Sequence, residues 1–223
     1  MGDWGDWLAN DATERQTAMS DRFLPRKDRT DPAITESEIQ YDGFVTLSKC
    51  TVRYTDTSGT VHHVTREIHD HGSAIAVLPV DRARRVALLV RQLRIGALAN
   101  GEKDPMLLEV AAGLVDPGES PEGAVLREAE EELGFAIHEL EHVTRFYASP
   151  GTLTETIDAY LACYTLDDRV HEGGGLDHEG EDIIVEEIAL DELGEAALQG
   201  QLRDAKTILL IQHLMLAEPE LFF

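Results

Sequence analysis

The sequence predicts an α/β fold, and three observations support that prediction. Residues 36–69 and 73–94 contain alternating or continuous apolar runs separated by turn signals, which is typical of β-strands. A helix with clear start and stop signals follows at residues 120–134. Residues 204–217 have the apolar spacing of a helix that packs against a sheet. This order of elements predicts a mixed sheet with helices on two faces.

The strands are predicted from apolar runs that end at turn residues. Ser58-Gly59 marks a turn between two alternating runs in residues 43–69, which therefore form a hairpin. Residues 81–85 are the polar turn of a second hairpin, and residues 100–105 are a loop. The remaining predicted strands are residues 73–80, 86–94, 106–113, 138–150, 156–166 and 183–190.

The helix at residues 120–134 has a capping residue at each end. Ser120 is a good N-cap, Pro121 suits the first helical position, and Gly134 suits the left-handed residue that ends a helix. The residues expected to pack inward are Leu126, Ala129 and Leu133. A short helix at residues 191–199 and a closing helix at residues 204–217 complete the fold.

The same stretch carries seven charged and glycine positions spaced as G-x5-E-x7-R-E-x2-E-E-x-G. These are Gly113, Glu119, Arg127, Glu128, Glu131, Glu132 and Gly134. Three of the glutamates stand at i, i+3 and i+4, so they share one helix face, where like charges repel. A hard divalent cation would reverse that repulsion, because Mg²⁺ prefers carboxylate oxygens. Arg127 lies four residues before Glu131, close enough to pair with it.

Composition narrows the classes of partner. The formal net charge of −24 argues against nucleic acid or an anionic membrane surface. Cys50 and Cys163 lie in apolar, strand-like contexts and are expected to be free thiols. The nine histidines show no metal-binding spacing and are expected to be structural or exposed. No apolar signal core and no membrane-length stretch is seen, so we expect a cytoplasmic protein.

The seven-position segment resembles the Nudix box of the Nudix hydrolases, which hydrolyse nucleoside diphosphates linked to another moiety. The resemblance implies an α/β/α sandwich around a mixed sheet, and Mg²⁺, or Mn²⁺ in its place, as cofactor. It also implies that the metal ligands are Glu128, Glu131, Glu132 and the backbone carbonyl of Ala112, with Glu119 supporting them from the loop. Arg127 belongs to the same catalytic group. The alternative interpretation is a solvated acidic helix, and the fixed spacing argues against it.

Features outside the box resemble one branch of the family. Pro150 lies sixteen residues after Gly134, which is similar to the ADP-ribose and nucleotide-sugar pyrophosphatases. Residues 173–188, followed by residues 202–211, resemble the GDP-mannose pyrophosphatases of that branch. The resemblance implies a homodimer built through a small N-terminal β subdomain. We therefore expect a polar arm at residues 1–35, a hairpin and dimerisation region at 36–70, and the hydrolase domain at 71–223.

The implied reaction is metal-dependent hydrolysis of a nucleoside diphosphate sugar, a small-molecule substrate. ADP-ribose, giving AMP and ribose 5-phosphate, is the first choice, and GDP-mannose is a close second. Two alternatives stay open. One is a catalytically silent nucleotide-binding domain, and the other is an enzyme acting on nucleoside triphosphates or dinucleoside polyphosphates.

The resemblance also implies roles for residues outside the box. In the loop 167–182, Glu181 is the first choice for the general base and Glu179 the second, with a solvated acidic loop as the alternative. Arg91 and Arg94 are candidates for binding phosphate, although regular strand geometry would put them on opposite faces. The alternative is that both are surface arginines paired with acids.

Four further residues are expected to contact the substrate. Glu109 is expected to line the site, and Glu155 to contact the terminal sugar or the metal ions. Arg66 and Phe44 occupy positions similar to those that sandwich the purine in ADP-ribose enzymes, with Phe44 given by the partner subunit. For Phe44, a place in the hydrophobic core is the alternative.

Overall fold

The computed structural model describes residues 32–176 and 182–223. The predicted arm, including its Trp4 and Trp7, therefore lies outside the described residues except at its C-terminal end. Glu179 and Glu181 also lie outside them. The chain divides into two compact units. In the described ranges, the smaller comprises residues 32–40 and 48–67, and the larger comprises residues 41–47 and 68–223.

Most of the smaller unit is a three-stranded sheet in the order β1-β2-β3, which we call the N-terminal sheet. Its strands are β1 (Ala33–Asp42), β2 (Thr46–Thr55) and β3 (Val61–Asp70). All ten side chains of β1 are exposed, whereas β2 buries Cys50. Gly59 has a φ of 86° in the predicted turn. The strand prediction is confirmed, and β1 begins inside the predicted arm.

The larger unit is built on a mixed sheet in the order β10-β5-β4-β9-β8. Its strands are β4 (Ala74–Asp81), β5 (Val86–Leu93), β6 (Met106–Glu109), β7 (Ala111–Leu114), β8 (His138–Tyr147), β9 (Thr156–Cys163) and β10 (Ile184–Ala189). β4 and β9 are parallel, and the other pairs are antiparallel. β6 pairs with β5 and β7 pairs with β4, so the chain breaks step at the buried Val110 where β4 and β5 separate.

Four α-helices are described: α1 (Ile95–Ala99), α2 (Pro121–Glu128), α3 (Leu190–Leu198) and α4 (Ala205–Ala217). α2 continues into a π-helical turn, Ala129–Leu133. α1 has no side-chain cap at its N-terminus, so no capping signal revealed it in the sequence. No helix in the described ranges is both long enough and apolar enough to cross a membrane.

The core lies on both faces of the sheet. Ala76 and Leu78 of β4 belong to a buried cluster that includes α3 and α4, whereas Ile75 and Val77 belong to a second cluster that includes α2. Because successive strand side chains point to opposite faces, one buried strand serves both layers. The predicted α/β/α sandwich is confirmed.

The predicted ends of α2 are confirmed, and one predicted core residue is wrong. The Ser120 hydroxyl accepts the N–H of Gly123 at 3.1 Å, and Gly134 has a φ of 77°. Leu126 is 45% exposed, and Val125 is buried in its place beside Ala129 and Leu133. Val125 and Ala129 are four residues apart and share a face, so the neighbouring position points outward. Cys50 and Cys163 are both free thiols, as predicted, although Cys163 is half-buried.

Candidate active site

A cleft of about 830 Å³ opens in the larger unit. Its lining contains the three cations Arg94, Arg127 and Lys206 and the four carboxylates Asp116, Glu128, Glu155 and Asp204. Ala112 and Gly113 form part of its wall. A shallower groove between β8 and α4 has a mainly apolar lining without a carboxylate, and it offers no comparable chemistry. The charged side chains of the cleft belong to two clusters.

The first is the Arg127 cluster, in which one guanidinium bonds three carboxylates. Arg127 Nη1 donates to Glu128 Oε1 at 2.7 Å and to Glu131 Oε2 at 3.0 Å, so the predicted pair with Glu131 is confirmed. Its Nε and Nη2 donate to Glu119 at 3.1 and 3.0 Å. The bond from Glu119 and those from the other two carboxylates hold the pKa of Arg127 well above its usual value. Arg127 in turn lowers the pKa of Glu119.

The remaining box glutamate points toward the strand. Glu132 is 2% exposed, and its Oε2 accepts the N–H of Ala112 at 3.1 Å. Next to Ala112, a Cβ on Gly113 would overlap the carboxylate of Glu128. This close approach is the physical reason for a glycine at the first position of the box. The helix and β7 thus bring the carboxylates of Glu128 and Glu132 against one short stretch of backbone.

These residues fit a hard divalent cation. Four carboxylates, those of Glu119, Glu128, Glu131 and Glu132, surround a single guanidinium, so the local charge is negative. Carboxylate and carbonyl oxygens are the ligands that Mg²⁺ and Mn²⁺ prefer. Within residues 32–176 and 182–223, no three acidic, histidine or cysteine side chains are already grouped as metal ligands. The bonds of Arg127 to Glu128 and Glu131 account for that, because a cation would have to take over those oxygens.

The second is the Lys206 cluster, which contains two cations and two carboxylates. Arg94 donates to both oxygens of Glu109, at 2.7 and 2.8 Å. Lys206 Nζ donates to Glu109 Oε2 at 3.0 Å and to Asp204 Oδ1 at 2.7 Å. Glu109 is 2% exposed and lies behind the cleft wall, whereas the other three residues line the cleft. Burial alone would lower the pKa of Lys206, but Asp204 and Glu109 together raise it.

The start of α4 fixes this second cluster in place. Asp204 caps the helix by accepting the N–H of Thr207 at 2.9 Å, and the Thr207 hydroxyl donates to the same carboxylate oxygen at 2.7 Å. That hydroxyl also accepts the N–H of Val110 at 2.9 Å, at the break between β6 and β7. The N-terminus of α4 is therefore joined to the strand that leads to Ala112.

Sequence reasoning missed Asp204 and Lys206 as cleft residues. They lie about ninety residues after Glu109, in a run that was interpreted only as a helix. One signal was available. A lysine in the first turn of a helix opposes the helix dipole, so it needs a local reason to be there. Among the described residues, Lys206 is the one lysine with a mostly buried side chain, which is 16% exposed.

A third group at the cleft is aromatic and acidic. His71 Nε2 lies 3.2 Å from Glu155 Oε1, and both residues line the cleft. The ring of Phe44 is 6.3 Å from that of His71, at an interplanar angle of 28°. Phe44 is 82% exposed, so the core alternative for this residue is wrong. His71 was expected to be structural or exposed, and its position in the cleft was not anticipated.

Two arginines lie apart from this lining. Arg91 pairs with Glu186 on β10 at 2.6 Å and donates to the carbonyl of Met106. Arg94, which follows the end of β5, reaches the cleft, so the two point differently as strand geometry requires. Arg66 is exposed in the N-terminal sheet, where its Nη1 donates to the carbonyl of Thr65 at 2.8 Å.

The glycine run before residue 176 is bonded to the end of the box helix. Gly174 and Gly175 donate their N–H groups to the carbonyls of Glu132 and Glu131, at 2.8 and 3.1 Å. A Cβ on Gly173 would overlap the backbone of Glu132 and Leu133. The expectation of a mobile loop is therefore wrong for this part, because its glycines permit close backbone contact. The expected base positions, Glu179 and Glu181, lie beyond it, outside the described residues.

Comparison with protein families places this geometry. A family model described as NUDIX domain matches residues 70–211, which is more than half of the chain. This chain belongs to the Nudix family. It is a Nudix hydrolase, and the segment from Gly113 to Gly134 is its Nudix box.

Individual relatives are similar over most of their length. The GDP-mannose pyrophosphatase of Cronobacter sakazakii is 39% identical over 183 residues, covering 82% of this chain and 94% of that protein. The GDP-mannose pyrophosphatase of Salmonella arizonae is 36% identical over 181 residues, with 81% and 93% covered. A solved structure titled as an ADP compounds hydrolase superposes with a TM-score of 0.62 at 19% identity, covering 86% of this chain and 98% of that one. This last likeness supports the fold.

Proposed function

We propose that this Nudix protein is a Mg²⁺-dependent pyrophosphatase of nucleoside diphosphate sugars. The observation that carries the proposal is the meeting, in one cleft, of the box carboxylates with the buried cations Arg94 and Lys206. A diphosphate needs positive charge for binding, and this chain is otherwise strongly acidic. Hydrolysis adds water across the diphosphate bond and releases a nucleoside monophosphate and a sugar phosphate.

The box supplies the metal ligands in this proposal. The carboxylates of Glu128, Glu131 and Glu132 and the carbonyl of Ala112 would hold Mg²⁺, and Mn²⁺ is the next metal to test. When bound, the metal neutralises phosphate charge and lowers the pKa of a bound water. Arg127 keeps Glu119, Glu128 and Glu131 together through its hydrogen bonds. It thereby orients the ligands from the helix side.

The remaining residues bind the substrate and accept a proton. Arg94 and Lys206 contact the diphosphate, and Glu155, held by His71, accepts hydroxyl groups of the sugar. Phe44 offers an exposed ring on which a base can stack, and Arg66 stays the predicted partner on the other side of the base. Glu181, or Glu179, stays the predicted general base that takes a proton from the attacking water.

GDP-mannose is the first substrate to test and ADP-ribose the second. The sequence alone ranked them the other way round. The relatives that are 35–39% identical are named GDP-mannose pyrophosphatases, and they are similar over nearly their whole length. That name supports the new order for this chain.

Product analysis tests the proposal. The purified protein is incubated with Mg²⁺ and, separately, with GDP-mannose, ADP-ribose, UDP-glucose and GTP, and products are separated by ion-exchange chromatography. We expect GMP with mannose 1-phosphate, or AMP with ribose 5-phosphate. Binding of a nucleotide sugar without any turnover would favour the silent-domain alternative. Turnover of GTP alone would favour an enzyme that acts on nucleoside triphosphates.

We also propose a homodimer formed through the N-terminal sheet. β1 presents ten exposed side chains, including Ile34 and Ile39 at 60% and 61% exposure, and an isolated sheet of this size is weakly stable by itself. Light scattering of the full chain is expected to give twice the monomer mass. Ile39→Asp is expected to give monomers, whereas Leu198→Asp, at an exposed apolar position of α3, is not. Equal masses for both variants would contradict this interface.

A further inference from the structure

Glu109 occupies an unusual place in the Lys206 cluster. Its carboxylate is 2% exposed, and both of its oxygens accept hydrogen bonds from cations of the cleft. The residue itself does not appear in the lining of the cleft, although its two partners do. The expectation that Glu109 touches the substrate is therefore replaced by a different relation, in which Glu109 contacts the residues that do.

A second pair on the same strand shows that this arrangement is not general. Arg91 and Glu186 also form a two-point ion pair, with Nε to Oε1 at 2.6 Å and Nη2 to Oε2 at 3.4 Å. Glu186 has a side chain that is 31% exposed, and the pair is not part of the cleft lining. Two arginines three residues apart thus have the same partner type in different surroundings.

We propose that Glu109 is a positioning residue for diphosphate binding: its buried carboxylate holds Arg94 and Lys206 at one point, so that both cations face the same cleft. This inference rests on the proposed function, in which those two cations contact the diphosphate. Glu109 makes no contact with substrate and takes no proton from it.

The energetics favour such a role. A lysine and an arginine side by side repel each other, and each loses hydration when it is buried, so neither would stay in the cleft wall without a counter-charge. A carboxylate that accepts from both offsets the repulsion and fixes two long, flexible side chains before substrate arrives. Asp204 adds a second contact to Lys206 but none to Arg94, so the residue that joins the two cations is Glu109.

Steady-state kinetics with GDP-mannose test the inference, using Glu109→Gln and, as matched control, Glu186→Gln. Both changes replace the carboxylate of an arginine pair on β5 by an amide of the same shape. For Glu109→Gln we expect KM to rise about tenfold with kcat within about threefold, because the phosphates are held in the ground state and the transition state alike. For Glu186→Gln we expect KM within about twofold of the parent. Glu109→Asp, which keeps the charge, is expected to recover part of the KM.

Binding of inorganic diphosphate, measured by calorimetry, gives an arm that needs no turnover. Glu109→Gln is expected to weaken binding about tenfold and Glu186→Gln to leave it unchanged. If the parent hydrolyses no nucleotide sugar, the proposed function fails, and this arm still decides the role of Glu109. Equal KM and equal diphosphate affinity for the two glutamine variants would overturn the inference.

A double variant covers the case in which Glu109→Gln does not fold, as judged by circular dichroism. Glu109→Gln with Lys206→Met removes one negative and one positive charge and keeps the cluster balanced. If Glu109 acts through Lys206, the double variant binds diphosphate about as weakly as Lys206→Met alone, so the two effects are not additive. Additive losses would mean that Glu109 acts by another route, and the inference would fail.

Discussion

The two charged clusters of the cleft are made of the same residue types in different proportions. The Arg127 cluster has one cation for three carboxylates, with Glu132 nearby, whereas the Lys206 cluster has two cations for two carboxylates. The first therefore carries surplus negative charge, and the second is balanced. An unbalanced cluster of oxygen ligands attracts an external cation, whereas a balanced one is complete as it stands. The difference separates a metal site from a phosphate site within one cleft.

Removing a carboxylate from the negative side is expected to have the largest effect. Glu132→Gln keeps the shape and can still accept the N–H of Ala112, but it removes a charged ligand. We expect kcat with Mg²⁺ to fall at least about 100-fold. The matched control is Glu130→Gln, an exposed neighbour on the same turn outside the box pattern, with activity within about twofold of the parent. Equal activity in the two variants would remove the metal role from Glu132.

Removing the cation of the same cluster is expected to have a metal-dependent effect on stability. Without Arg127, the carboxylates of Glu119, Glu128 and Glu131 repel each other. In urea titrations, we expect Arg127→Gln to lower the free energy of unfolding by roughly 2 kcal/mol in EDTA. Excess Mg²⁺ should shrink that loss, because the metal then neutralises the ligands.

Arg203→Gln, at an exposed pair with Glu102, serves as the control and should show no metal dependence. A loss for Arg127→Gln that is the same with and without Mg²⁺ would contradict the idea that guanidinium and metal share these oxygens.

The balanced cluster is expected to show a smaller, pH-dependent effect. Lys206 and the bonds from Thr207 outweigh the effect of burial and lower the pKa of Asp204 in the folded protein. A lowered folded pKa stabilises the protein above the ordinary value of 3.8, and this contribution is lost as pH falls through the folded pKa. Asp204→Asn keeps a helix cap and removes the charge. We expect it to cost about 1 kcal/mol of unfolding free energy at neutral pH and progressively less in acid.

Denaturant titrations of parent and variant over a range of pH check this expectation. A constant difference at every pH would mean that the charge of Asp204 contributes nothing.

The smallest effect is expected at the edge of this cluster. Glu102 pairs with Arg203 at 2.6 Å, one residue before Asp204, but the arginine is 61% exposed. We expect Glu102→Gln to change stability by less than about 0.5 kcal/mol and KM by less than about twofold. A large change in KM would show that the cationic wall extends beyond the cleft.

The Arg127 cluster could be predicted from sequence because all of its members lie within one helix and the loop before it. Local spacing fixes which side chains of a helix meet, and Ser120 and Gly134 fixed where this helix begins and ends. The direction of the helix relative to the sheet was not available in the same way. Leu126 was therefore assigned to the core in place of Val125, and the π-helical turn after Glu128 left no recognisable pattern.

The Lys206 cluster could not be assembled from sequence because its members come from three distant segments. Glu109 and Arg94 lie on the strands β6 and β5 that pair with each other, whereas Asp204 and Lys206 come from the start of α4. Their meeting depends on the Val110 to Thr207 bond and on packing of α4 against the sheet. Such contacts are a product of tertiary structure, and only the isolated lysine at a helix start hinted at them.

The π-helical turn Ala129–Leu133 has a consequence for how the box can vary. A π turn holds one more residue per hydrogen-bonded ring than an α turn. Deleting one residue here would restore the α repeat and rotate everything that follows by about 100°. Glu132 would then leave Ala112, and Gly134 would leave the segment that begins at His171. The box should therefore tolerate many substitutions outside its seven positions, but no change in its length.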